Sequence, residues 1–399
     1  MNKCYGGVSV IILNWGRIAC LVLAATAAAP AAAGDLPVAL ESSFEAGWTS
    51  NAQDGPGGSG SAYVIDSHTL ALTAGEGDAM LRAAFGIEQT RYLSLPALDD
   101  WLARARIEAG IGLGPDTRLR GRLDLFYEEQ GNWAATGLEM LGTRSPLFTG
   151  KAGLRLEHRA GQALLGLSVG YEARRPGETR IEADLVPPLR TASHADLFSA
   201  GLDLAHPLGR HATLSGVVEW QAVVVEAAEQ ALYGRVPGQL WRIAGGIEIG
   251  DGSGTALALR GGADMLFAGL DGIAPIVLPY ARAEMSLVLV PGLTLRGSLS
   301  AEADIGDPAD LYADWRLRAR AGLMVNPLDG LSLEAALSAQ QRRSAALDVT
   351  IETEWGASAE AVYRLGPLSL SGKLAYRRVE GLAGPYDENR LGLRVAANL

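Results

Sequence analysis

Beyond Cys20 the sequence has no cysteine at all; the two it contains, Cys4 and Cys20, lie at its start. That absence excludes a disulfide framework, a thiolate nucleophile and a cysteine-built zinc site from the rest of the chain. Basic charge is also short, with 34 Lys and Arg against 45 Asp and Glu, a poor balance for holding nucleic acid phosphates. No His/Asp/Glu cluster at metal spacing, phosphate-binding glycine motif or calcium loop occurs, so no metal and no cofactor are expected. After residue 33 there is no apolar run near the ~20 residues that a spanning helix needs. If this chain crosses a membrane it must do so as a closed barrel, the other architecture that satisfies its own backbone.

The first residues set the compartment. Lys3 and Arg17 precede an Ala-rich apolar stretch, Ile18–Ala29, that ends in the small residues Ala31, Ala32 and Ala33. A basic start, a short apolar core and a small-residue exit read as a cleaved secretory signal over residues 1–33. Removing Lys3 and Arg17 from the 34 basic residues leaves 32 against 45 acidic ones.

The remainder, residues 34–399, reads as one domain of strands. In Trp101–Leu113, Trp101, Ala103, Ala105, Ile107, Ala109, Ile111 and Leu113 share one face, while Arg104, Arg106 and Glu108 share the other. In Thr117–Glu128, Leu119, Leu123, Leu125 and Tyr127 oppose Arg118, Arg120, Arg122 and Asp124. Trp315, Leu317, Ala319, Ala321 and Leu323 oppose Arg316, Arg318 and Arg320 in the same way. Period two is the strand signature, because successive Cβ atoms point to opposite faces. Connections alternate between short turns, such as Gly114-Pro115-Asp116 and Pro291-Gly292, and longer polar ones, such as Gln130–Leu147 and Pro176–Ser193. Short turns at one end and long loops at the other are the rhythm of an outer-membrane barrel. The pattern predicts an all-β, antiparallel up-and-down transmembrane barrel of eighteen strands, or sixteen if residues 34–78, with the flexible Gly55–Gly60 stretch, form a tail or plug. Trp101, Tyr127, Trp220, Trp241, Phe267, Trp315, Trp355 and Tyr376 fall on apolar faces near the long-loop ends, as an outer aromatic girdle would.

On these residues the chain resembles Gram-negative outer-membrane β-barrel proteins of the porin-like kind, from about Val38 to Leu399. The final strand keeps its alternation through Leu391, Leu393, Val395, Ala397 and Leu399 but ends in Leu rather than an aromatic residue. The resemblance implies export, an outer-membrane location, contact with outer-membrane lipid, handling by a barrel-assembly machinery and passive passage of small hydrophilic solutes. It leaves homo-oligomerisation open.

The candidate pore lining is Arg104, Arg106, Arg118, Arg120, Arg122, Arg316, Arg318 and Arg320 with Glu302, Glu352 and Glu354. Two readings stand. These charges set ion preference in a wet lumen, or they pair across strands and fill the interior as structure. Likewise, Gln130–Leu147 and Pro176–Ser193 fold inward as a constriction or cap the outer surface. Small inward residues, Gly110, Gly112, Gly166, Gly170, Gly262 and Gly322, leave room. The five histidines, His68, His158, His194, His206 and His211, read as ordinary polar residues, and no enzyme is expected. The competing functional reading is a non-conducting barrel that serves as scaffold or exit port for an envelope or polysaccharide-export system.

Overall fold

The computed structural model describes residues 38–75, 79–136, 139–181, 187–250, 252, 254–269, 273–306 and 312–398, with backbone alone at 133–136 and 139–141. The segment read as a signal lies outside these residues, as do positions 182–186 of the Pro176–Ser193 loop and Leu399.

In chain order the strands are β1 (Val38–Thr49), β2 (Ser61–Ala74), β3 (Ala79–Tyr92), β4 (Asp100–Gly114), β5 (Thr117–Thr136), β6 (Glu139–Ala160), β7 (Ala163–Pro176) and the two-residue β8 (Arg180–Ile181). They continue as β9 (Ala195–Pro207), β10 (Ala212–Val224), β11 (Gly238–Gly250), β12 (Ala256–Ala268), β13 (Ile276–Val290) and β14 (Leu293–Asp304). The last are β15 (Asp314–Leu328), β16 (Leu331–Ser344), β17 (Thr350–Leu365), β18 (Leu368–Gly381) and β19 (Gly384–Asn398). One seven-residue helix, α1 (Ala227–Tyr233), lies between β10 and β11.

Each strand of the wall pairs antiparallel with the next, β7 with β9 across the short β8, and β1 closes the wall by pairing with both β2 and β19. Among the described residues β8 pairs only with β6, through Thr143 and Arg144, so eighteen strands form the wall. The N-terminal strands are therefore wall, not tail or plug. Their seam is built on the inner face. Tyr63 is buried, donates to Glu45 Oε1 at 2.8 Å and lies under the Arg390 guanidinium, 4.4 Å from the ring centroid. Gly47 and Gly392 make this possible, since a Cβ on either would collide with the tyrosine.

The eighteen strands fall where the alternation places them; the differences are at the loops. β5 and β6 stay paired from Thr117↔His158 to Thr136↔Glu139, so most of Gln130–Leu147 is a hairpin extension rather than an irregular loop. Continued ladder pairing satisfies its backbone. The Gly55–Gly60 stretch belongs to a hydrogen-bonded turn. Asn51 Nδ2 donates to the Gly55 carbonyl at 2.9 Å, and Ser59 N–H to Gln53 Oε1 at 2.7 Å.

Register also fixes the tilt. Trp101 pairs with Gln89, Gln89 with Asp66 and Asp66 with Phe44, four residues along β1 from Trp48. If Trp48 and Trp101 share one girdle, that offset over three strand spacings gives a tilt of roughly 40°, the usual value for such walls.

Candidate functional site: the lumen and its outer mouth

The charged face of each strand is the concave one. Arg242 on β11 and Glu302 on β14 form an ion pair at 3.7 Å, although two strands separate them in the wall, and only the inner face brings them together. The opposite face carries exposed apolar and aromatic side chains, among them Phe44, Phe85, Trp101, Leu202, Leu337 and Trp355. Trp101 stacks edge-on with Tyr127, and Trp220 lies beside Trp241. A lumen of charge inside a belt of hydrocarbon follows from the period-two pattern alone.

All eleven expected pore-lining residues lie on the inner face by register. They form two groups on opposite walls, because β5 and β15 stand nine places apart around the eighteen-strand circle. On the first wall the buried Asp124 accepts from Arg106 Nε at 2.6 Å and from Arg122 Nε. Arg122 also lies 3.5 Å from Glu108, and Arg120 3.4 Å from Glu157. Arg118 stands opposite Glu157 in the β5–β6 register. Arg104 has a long contact, 3.5 Å, to Thr69 Oγ1. On the second wall Arg316 pairs with Asp304 at 2.8 Å, Arg318 with Glu302 at 3.2 Å and Arg320 with Glu334 at 2.8 Å. Glu354 lies 3.9 Å from Arg377, and Glu352 stands opposite Arg342 in the β16–β17 register. Carboxylates are thus interleaved with arginines on the same walls. The pairs still face water: the side chains of Arg120, Arg122 and Arg320 are 56%, 50% and 59% exposed.

The small inward residues divide. Gly110 and Gly322 leave space, but Gly166 makes room for the Arg155–Asp203 ion pair, and a Cβ on Gly262 would strike the backbone of Ile243 and Ala244. Tyr280 lies across Gly262, with the Arg242 guanidinium 4.4 Å above its ring.

Near the long-loop end one side of the lumen is dry. Leu240 and Leu266 interrupt the inner polar face, and Val223, Ala303, Ile305, Tyr312 and Ala313 pack on them. The β13–β14 ladder stops at Ala281↔Ala301, and β14 then bends inward. Asp264, fully buried, receives the Ala303 N–H at 2.7 Å and holds Arg242 through two bonds at 2.8 and 3.0 Å. Arg242 in turn donates to the Ala303 carbonyl at 3.2 Å. Arg235 donates to the Ile305 carbonyl. These bonds fold the ends of the β14–β15 connection into the mouth. Alternation had left this node unremarked, although two leucines in a charged stripe were a visible signal.

The two long loops behave differently. The β5–β6 hairpin extends the wall. From the other, Arg190 reaches α1, where it binds Glu229 and donates to Tyr233 Oη at 2.9 Å. Arg190 also contacts His194 Nε2 at 2.6 Å. Burial, with the neighbouring Arg190 charge, holds the His194 imidazole below its ordinary range. Burial pushes Glu229 the other way but is outweighed by hydrogen bonds from the His194 N–H and Arg190, leaving its carboxyl low. No group of three metal-ligating side chains occurs among the described residues.

No protein-family model matches the sequence, and no curated protein is similar to it. The fold has solved relatives. A structure titled "Copper transporter OprC" aligns with a TM-score of 0.54 at 10% identity, over 92% of this chain and 81% of that one. A ferric enterobactin receptor (PfeA) in complex with BCV-L6 aligns at 0.52 and 8% identity, over 91% and 81%. A mutant of that receptor from Pseudomonas aeruginosa gives 0.51 at 9%, over 91% and 80%. The chain has the fold of outer-membrane β-barrel proteins.

Proposed function

We propose that the protein resides in the outer membrane of a Gram-negative bacterium and is a porin-like channel for passive passage of small hydrophilic solutes. The observation that carries this reading is the half-exposed arginine ladder inside a closed eighteen-strand wall. Barrels of sixteen to eighteen strands are wide enough for an aqueous path, and the guanidinium groups of Arg120, Arg122 and Arg320 on the two walls are about half exposed. Fold neighbours include a protein titled a copper transporter, so moving solutes is a use to which this architecture is put. The dry cluster around Leu240 and Leu266 occupies one side of the mouth.

Single-channel recording of the refolded mature chain in a planar bilayer tests this. Steady conductance steps are expected, and replacing Arg118, Arg120 and Arg122 with glutamine should shift the reversal potential in a salt gradient towards cations. A folded barrel without conductance would favour the scaffold or exit-port reading, and unchanged selectivity in a conducting variant would remove these arginines from the path.

A further inference from the structure

The outward face of β1 and β2 carries a polar node where the wall should be apolar. His68 Nδ1 lies 3.0 Å from Ser42 Oγ, and His68 Nε2 lies 3.2 Å from Asp66 Oδ2. All three share the face of Phe44, Trp48 and Leu70 by register, and the His68 and Asp66 side chains are 44% and 54% exposed. With the tilt derived above and about 3.3 Å of rise per residue, the node sits roughly 7–15 Å below the Trp48–Trp101 girdle, near the middle of a belt about 25 Å tall. Elsewhere on the described outward face, charged side chains such as Arg175, Arg343 and Arg378 sit at strand ends. Ionisable groups at this depth persist where a protein partner or a polar cavity meets them.

On the same outward face, the wall is hollowed starting at Trp48, six residues along β1 from Ser42. A depression of about 850 Å³ runs from β14 across to β1, floored by Ala321, Ala335, Ala357 and Ala359 and rimmed by Trp48 and Leu391. Small residues let a neighbouring surface approach closely.

We propose that this face, from the alanine-floored depression to the Ser42–Asp66–His68 node, is where a second copy of the chain docks within the membrane. The inference rests on the barrel spanning a membrane and not on its conducting. A two-fold axis along the membrane normal preserves depth, so each node meets its counterpart at the same level. The node suits that meeting because it carries an acceptor, the carboxylate, together with hydroxyl and imidazole donors. A soluble partner does not reach this depth, and lipid tails offer no hydrogen bond. The Ser–His–Asp contacts also combine the residue types of an acyl-transfer site. Lipid ester groups, however, lie at the headgroup boundary, level with the girdle rather than with Ser42.

Because residues 38–399 contain no cysteine, a single introduced one reports cleanly. The mature chain is reconstituted in liposomes as Leu70→Cys and, as control, Leu202→Cys on the distant β9 wall. Oxidation should give a cross-linked dimer for the first and monomer for the second. Subunit counting by photobleaching should show two steps for the parent and one for Asp66→Leu/His68→Leu, with the fold retained on a heat-modifiability gel. One-step bleaching of the parent, two-step bleaching of the double variant or equal cross-linking at both positions would overturn the proposal. So would a monomer whose Ser42 is labelled by a fluorophosphonate, which would assign the node to acyl chemistry instead.

Discussion

Replacing Asp264 with alanine should release the β14–β15 connection from the mouth. The carboxylate makes three bonds there, two to Arg242 and one to the Ala303 N–H. Removing one partner of a buried ion pair typically costs about 3–5 kcal/mol, because the surviving charge is stranded. Orphaning a buried N–H adds about 1–3 kcal/mol. Here the loss is smaller than the sum. Glu219 and Glu302 stand 3.5 and 3.7 Å from Arg242, and both can swing to it. A cost of about 2–4 kcal/mol is expected, spent on the local unit rather than the wall, whose ladders do not depend on Asp264. At 1.4 kcal/mol per factor of ten, protection of the Ala303 amide against hydrogen exchange should fall roughly 30- to 1,000-fold. Amides of β4–β6 should keep theirs. Protection at Ala303 within about threefold of the parent would refute the latch.

Acid should loosen the clamp between Arg190 and α1. His194 is held below its ordinary range and Glu229 likewise, so the folded clamp binds fewer protons than the unlocked loop at each. Its stability is complete above their ordinary values and is lost as pH falls through the lowered ones. Proteolysis within 177–194 should therefore accelerate between pH 7 and pH 4, and His194→Gln should flatten the part of that dependence nearest neutrality. At Gly262 the added methyl of Gly262→Ala must displace the backbone of β11, a cost of about 1–3 kcal/mol. A lowered unfolding midpoint on a heat-modifiability gel would show it, whereas Gly322→Ala, whose added methyl meets its neighbours only at ordinary van der Waals distance, should leave the midpoint unchanged.

Alternation by itself determined the class of the fold, the strand ends to within a few residues except at the long β5–β6 hairpin, which side chains face the lumen and where the girdle runs. It could do so because a closed wall maps sequence parity directly onto inside and outside. The two arginine rows were legible for the same reason. Their placement on opposite walls was not, since it depends on how many strands close the circle, and the first two strands were ambiguous until β1 paired with β19. Tertiary structure alone decided the rest. Asp264 meets Ala303 across two strand spacings and 39 residues, and Arg242 meets Glu302 across three, contacts that the curvature of the wall creates and no local pattern encodes. The same holds for Ser42 and His68, which lie 26 residues apart. Parity placed each on the outer face, but only the register of β1 against β2 set one against the other.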